Sequence, residues 1–131
     1  MNDQVTAAEM ATSATGARKY DLADRTAMFG ESVIRLAKQI PVNAVTKPLV
    51  SQLVRAGTSV GANYCEADDA DTKKDFVYKI GVCKREAKET KYWLQMVVRA
   101  APEVKPDARR VWREARELHL IFAAIARKGK A

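Results

Sequence analysis

The side chains best spaced for chemistry in this 131-residue sequence are Arg55, Asn63, Glu66, Glu86 and Glu89. Carboxylates on facing helices can hold a pair of metal ions, but bundles that do so draw ligands from Glu-x-x-His pairs on two helices. Here Glu86-x-x-Glu89 carries no histidine. The single histidine, His119, follows Glu114 by five positions and Glu117 by two, off the three- or four-residue spacing that shares a helix face. The same five residues therefore read as a structural polar network, buried between helices, in which Asn63 fixes register and Arg55 satisfies a carboxylate. His119 has no nucleophile or carboxylate at helical spacing to make it a general base. Cys65 and Cys83 lack CxxC spacing and fall at different levels of a hairpin folded near residue 70. They read as two buried thiols rather than a disulfide. No catalytic residue, metal site or cofactor is expected, and the chain reads as non-enzymatic.

The second kind of chemistry is electrostatic. Residues 1–71 carry seven Lys/Arg and nine Asp/Glu, a net of −2; residues 72–131 carry sixteen and seven, a net of +9. The whole excess of +7 thus sits in the second half, a pattern that suits an anionic partner. Lys84, Lys88 and Lys91 are spaced to share one helix face, and so are Arg109, Arg113 and Arg116; Arg110, Arg127 and Lys128 add to the same basic surface. Rows of this kind track phosphates in a salt-dependent, largely sequence-blind way. Beside them runs an apolar and aromatic stripe, Tyr78, Val82, Arg85, Glu89, Tyr92 and Met96, with Trp93 adjacent and Trp112 further on. Tyr, Trp, Met and Arg are favoured in interface cores, so Tyr78, Val82, Tyr92, Trp93, Met96 and Trp112 read first as a subunit contact. A platform for stacking unpaired bases is the rival reading of the same residues.

Four helical segments must position these groups. Phe29, Val33, Leu36 and Ile40 form a one-faced stripe in a helix from about Leu22 that Pro41 stops. A second helix opens at Thr46, read as its N-cap, and carries Leu49, Leu53, Ala56, Val60, Asn63 and Ala67 before the acidic run Asp68, Asp69 and Asp71. Its two glycines, Gly57 and Gly61, cost about 1 kcal/mol each in a helix and imply a neighbouring helix at close range. Thr72 and Asp75 have capping-box spacing for a third helix, whose stripe runs from Phe76 through Ile80, Cys83, Ala87, Thr90, Leu94 and Val97 to Ala101. At about 28 residues it would reach ~42 Å, so it either bends or projects past its neighbours. The fourth starts near Pro106 and Asp107, carries Val111, Ala115, Leu118, Phe122 and Ile125, and frays from Arg127 into a short basic tail. Short breaks make sequential helices antiparallel neighbours, so the fold class is all-α, an up-down-up-down four-helix bundle spanning residues 20–131. Residues 1–19 show no sustained period and read as a disordered tail. No stretch has the ~18 apolar residues of a membrane span and the start has no secretory pattern, so a cytoplasmic location is expected.

The run Arg55-Ala56-Gly57-Thr58-Ser59-Val60-Gly61-Ala62-Asn63-Tyr64-Cys65-Glu66-Ala67 carries a more specific signal, as do Lys73-Lys74-Asp75-Phe76 and Glu86-Ala87-Lys88-Glu89-Thr90-Lys91-Tyr92-Trp93-Leu94. Together they resemble the signature of the four-helix-bundle proteins encoded in intervening sequences of 23S ribosomal RNA genes, over about Asp24 to Lys128. Cys65 stands where that signature more usually has an aliphatic residue. The resemblance implies a homo-oligomer, typically a pentameric ring. It also implies kinship with the accessory protein of diversity-generating retroelements, a basic pentamer that binds nucleic acid and assists a reverse transcriptase. The residues and the resemblance together point to a homo-oligomeric scaffold that binds RNA or DNA with little sequence specificity. A protein–protein assembly module with no nucleic-acid role is the alternative.

Overall fold

The computed structural model describes residues 21–130. The tail expected over residues 1–19 lies outside them. Four helices follow one another: α1 (Leu22–Gln39), α2 (Thr46–Asp68), α3 (Lys73–Ala100) and α4 (Lys105–Lys130). Each sequential pair packs together in the up-down arrangement, and α1 closes the bundle against α4 over a sparser contact. No helix among the described residues is long and apolar enough to cross a membrane.

The ends follow from local chemistry. Asp21 accepts from the Asp24 N–H to cap α1, and Ile40, ahead of Pro41, leaves the helix in extended backbone. The start of α2 differs from the expectation. Asn43, not Thr46, does the capping: its Oδ1 accepts from the Val45 and Thr46 N–H groups at 2.9 Å each. Thr46 is itself buried, its hydroxyl accepting from the Asn43 N–H and donating to the Pro41 carbonyl. Thr72 caps α3 by accepting from the Asp75 N–H at 3.1 Å. A single 3-10 turn, Pro102–Val104, tucks Val104 into the core and leads directly into α4.

Phe29, Val33 and Leu36 of α1 and Ile40 just past its end are buried, as are Ile80, Cys83, Ala87, Thr90, Leu94 and Val97 of α3. On α2 the expected stripe drifts. Tyr64 rather than Asn63 turns inward, its ring 6.1 Å from that of Phe122. A helix of 3.6 residues per turn gains about 20° per heptad on a seven-residue repeat, enough to replace position 63 by 64 near the C-terminal end. The same drift puts Ala126, not Ile125, in the core at the end of α4. That helix also runs on to Lys130, so Arg127 and Lys128, expected in a frayed tail, belong to its last turns, where positive charge complements the helix dipole.

The glycines of α2 are explained by α1. A Cβ on Gly57 would stand 2.7 and 2.8 Å from the two Val33 methyls, and one on Gly61 would stand 3.3 Å from the Thr26 carbonyl oxygen. The helices approach as closely as backbone allows at that crossing. α3 and α4, at ~42 and ~39 Å against ~27 Å for α1, are the longest elements and lie side by side. The length of α3 is therefore matched by its partner rather than left projecting alone.

Candidate nucleic-acid interface

The polar residues first considered for chemistry do not form one buried network. Arg55 is exposed and reaches across from α2 to α3, donating to Glu86 at 3.2 Å and to Glu89. Glu66 pairs separately with Lys79. Asn63 donates to the Ser59 carbonyl of its own helix at 2.9 Å, so it holds no register between helices. The physical reason is the rotation of α2 described above, which leaves Asn63 at the edge of the core, where its own backbone is the nearest acceptor. Cys83 is buried, and desolvation pushes its thiol up to about 12. Cys65, expected to be buried, is exposed one position past Tyr64. Among the described residues, no three or more His, Cys, Asp or Glu side chains converge.

A groove of about 840 Å³ runs along the seam between the C-terminal half of α3 and the N-terminal half of α4. Leu94, Met96, Val98, Ala108 and Trp112 supply its apolar lining. Arg99 of α3 and Lys105, Arg109 and Arg113 of α4 stand along it, with no carboxylate among its lining residues. Gln95 and Trp112 also line a second depression of about 400 Å³, so the two adjoin. Arg85, Lys88 and Lys91 stand there together with Tyr92. The one carboxylate in that part, Glu89, is already engaged by Arg55 and by the Trp93 indole N–H at 3.3 Å. None of the seven cations is ion-paired with a carboxylate of the described residues.

Trp112 sits where the two parts meet. The Lys91 Nζ lies 5.6 Å from the centre of its ring, a cation–π contact, and 3.5 Å from His119 Nδ1. The His119 pKa is held below its ordinary value of 6.5, first by partial burial and then by the positive charges of Lys91, Lys84 and Lys88. A proton there would add a further positive charge to a cluster that has no anion of its own.

The structure therefore sorts the residues that the sequence had grouped by type. Lys88, Lys91, Arg109 and Arg113 share one groove with Tyr92, Met96 and Trp112, mixing the expected phosphate contacts with the expected subunit contact. Lys84 borders the same region through its effect on His119. Arg116 is exposed on α4 but does not line the groove. Arg110 faces the other side of α4, paired with Asp107 at 2.9 Å beside the α1 seam. Arg127 and Lys128 lie at the far end of α4. Tyr78, 65% exposed, and Val82 continue the α3 stripe beyond the groove, while Trp93 is half-buried with its ring edge-on to Tyr92 at 4.9 Å. Gln95, Val98, Lys105 and Ala108 are the groove residues that sequence reasoning passed over. Gln95 and Lys105 continue the spacing of the basic rows, four residues after Lys91 and four before Arg109, and the pairing of the two helices brings those rows together.

Comparison with known proteins places this geometry in a family. The family model described as 23S rRNA-intervening sequence protein matches residues 18–124, all four helices nearly to the end of α4. The chain belongs to the 23S rRNA-intervening sequence protein family. A crystal structure of a protein with unknown function from the S23 ribosomal protein family of Bacteroides thetaiotaomicron is similar to it at 27% identity and a TM-score of 0.69. The match covers 79% of this chain and 96% of that one. No curated protein matches the chain.

Proposed function

We propose that this chain is a non-enzymatic, homo-oligomeric scaffold that binds RNA or DNA through the α3–α4 face with little sequence specificity. The observation that carries this reading is the groove itself. Seven cations without ion-pair partners among the described carboxylates stand along one seam, and its single acidic residue is occupied elsewhere. Such a surface is costly to keep for stability, because like charges repel, and it is complementary to a polyanion. Charges on helical rows contact phosphates, which carry no sequence information. A homo-oligomer would repeat the groove and turn weak single contacts into avidity. The kinship with retroelement accessory proteins that the resemblance implies would add a nucleic-acid enzyme, such as a reverse transcriptase, as the partner of such a complex.

Mobility shift across a salt series tests the reading. Contacts to about four phosphates give a log–log slope of roughly −3. Arg109→Glu/Arg113→Glu is expected to weaken binding of every sequence alike and to flatten that slope. No shift at low salt with stoichiometric protein would end the proposal. Light scattering checks assembly separately, and a monomeric mass at micromolar concentration would remove the oligomer.

A second reading, a protein–protein assembly module, is favoured by the exposed Tyr78 and the half-buried Val82 beside it, both outside the groove. It would be preferred if Tyr78→Glu/Val82→Glu dissociated the oligomer while no nucleic acid bound to the intact protein.

A further inference from the structure

We infer that the α3–α4 groove selects single-stranded nucleic acid, taking unpaired bases onto its apolar floor at Trp112 while the flanking cations hold the phosphates. This rests on the nucleic-acid reading above and narrows its ligand.

Cations alone would serve a duplex as well as a single strand, because both offer phosphates. The floor between them is what discriminates. Leu94, Met96, Val98 and Trp112 form an apolar trough with charge on both banks, Arg99 on α3 and Arg109 and Arg113 on α4. A phosphate chain gains nothing from apolar surface. A ligand must carry flat, weakly polar faces between its charges to use both, and an unpaired strand has that pattern. In a duplex the same faces are stacked on one another and closed to the protein. Stacking on aromatic side chains tolerates any base, consistent with sequence-blind binding.

The dimensions agree. Lys88 to Arg99 spans eleven residues of α3, roughly 16 Å of helix axis, comparable to about five nucleotides at a stacked rise of ~3.4 Å. Trp112 is half-buried, so its ring is fixed from beneath, and the half-exposed Tyr92 ring stands in the adjoining depression. Lys91 already lies over the Trp112 ring, and its flexible stem can carry the ammonium from the indole to the phosphate of an entering nucleotide.

The test uses the full chain carrying Trp93→Phe, which leaves Trp112 as the sole tryptophan and reporter. Three ligands of equal phosphate number are compared: an oligothymidylate, an abasic strand and a blunt duplex. The oligothymidylate is expected to quench Trp112 emission and to bind about tenfold more tightly than the other two, the scale of losing one stacked base. Trp112→Ala, checked for helix content, is expected to abolish that preference, bringing the oligothymidylate down to the affinity of the abasic strand. Equal affinity for all three ligands overturns the inference while the phosphate-binding reading stands. Absence of binding to any of them at low salt overturns both. If Trp112 emission instead shifts with protein concentration alone, and Trp112→Arg yields monomers, a second copy fills the groove and the inference falls.

Discussion

At single positions the structure assigns opposite signs to what look like equivalent changes. Gly57 and Gly81 both lie inside helices, where alanine is favoured by about 1 kcal/mol. A Cβ at Gly81 meets nothing within 4 Å, so Gly81→Ala is expected to raise the urea midpoint by an amount equivalent to about 0.5–1 kcal/mol. At Gly57 the same atom collides with both Val33 methyls, and overpacking of this kind costs about 1–3 kcal/mol. Gly57→Ala is expected to lose stability despite its better propensity, and to lose less in a Val33→Ala background; equal midpoints for the two glycine variants would contradict the packing. His119 supplies the pH dependence. Its folded pKa lies below 6.5, so the unfolded chain takes up the proton first as pH falls. Its contribution to stability is complete above about pH 6.5 and is lost as pH drops through the folded value. Denaturation midpoints of wild type and His119→Gln should diverge only across that window, and bound polyanion should raise the His119 pKa seen by NMR.

The helices show how far periodicity carries and where it stops. α3 keeps its seven-residue repeat from Ile80 to Val97; of the eight core positions read from Phe76 to Ala101, seven are buried and Phe76, in the first turn, is only half-buried. α2 and α4 each depart from the repeat at one position near the C-terminal end, where Tyr64 and Ala126 replace Asn63 and Ile125, while Ala67 of α2 stays buried as read. No repeat in the sequence announces that slip, because it depends on how straight each helix runs once packed. Caps were legible when the side chain was adjacent, as at Thr72, and misread at α2, where Asn43 reaches two amides from three residues upstream. The α1–α4 seam has its own vulnerability. Arg25 and Glu114 bridge it with two hydrogen bonds, at 2.7 and 2.8 Å, both side chains about one-third exposed. Partial exposure limits the pair to about 0.5–1 kcal/mol. Glu114→Gln should therefore speed hydrogen exchange in α1 while leaving α3 amides unchanged; uniform acceleration would mean that α1 does not open separately.

For the molecule as a whole, the sequence disclosed the bundle and the sign of its second half, but not the groove. Rows of lysine and arginine could be counted; that Lys88, Lys91, Arg109 and Arg113 would face one another across Trp112 required the relative rotation of α3 and α4. Residue type also misled, since it separated aromatic from basic side chains that the fold interleaves. Folding and ligand binding should consequently respond to different conditions. Raising salt from 50 to 200 mM is expected to weaken nucleic-acid binding steeply, as the cations cease to displace condensed counterions, and to leave the thermal midpoint within a few degrees. A midpoint that moved in step with affinity would show that the basic banks are part of what keeps the chain folded.

The floor and banks of that groove answer to different masters. Leu94 and Ala108 belong to the core as well as to the trough, so their identity is tied to the bundle. Arg99, Lys105, Arg109 and Arg113 stand at solvent-facing positions, bound to no interior neighbour. Among descendants of one ancestor the trough should persist while its banks change sign or fall silent. The same shape could thus be re-addressed from one cargo to another by a handful of surface codons, without the chain ever passing through an unfolded ancestor.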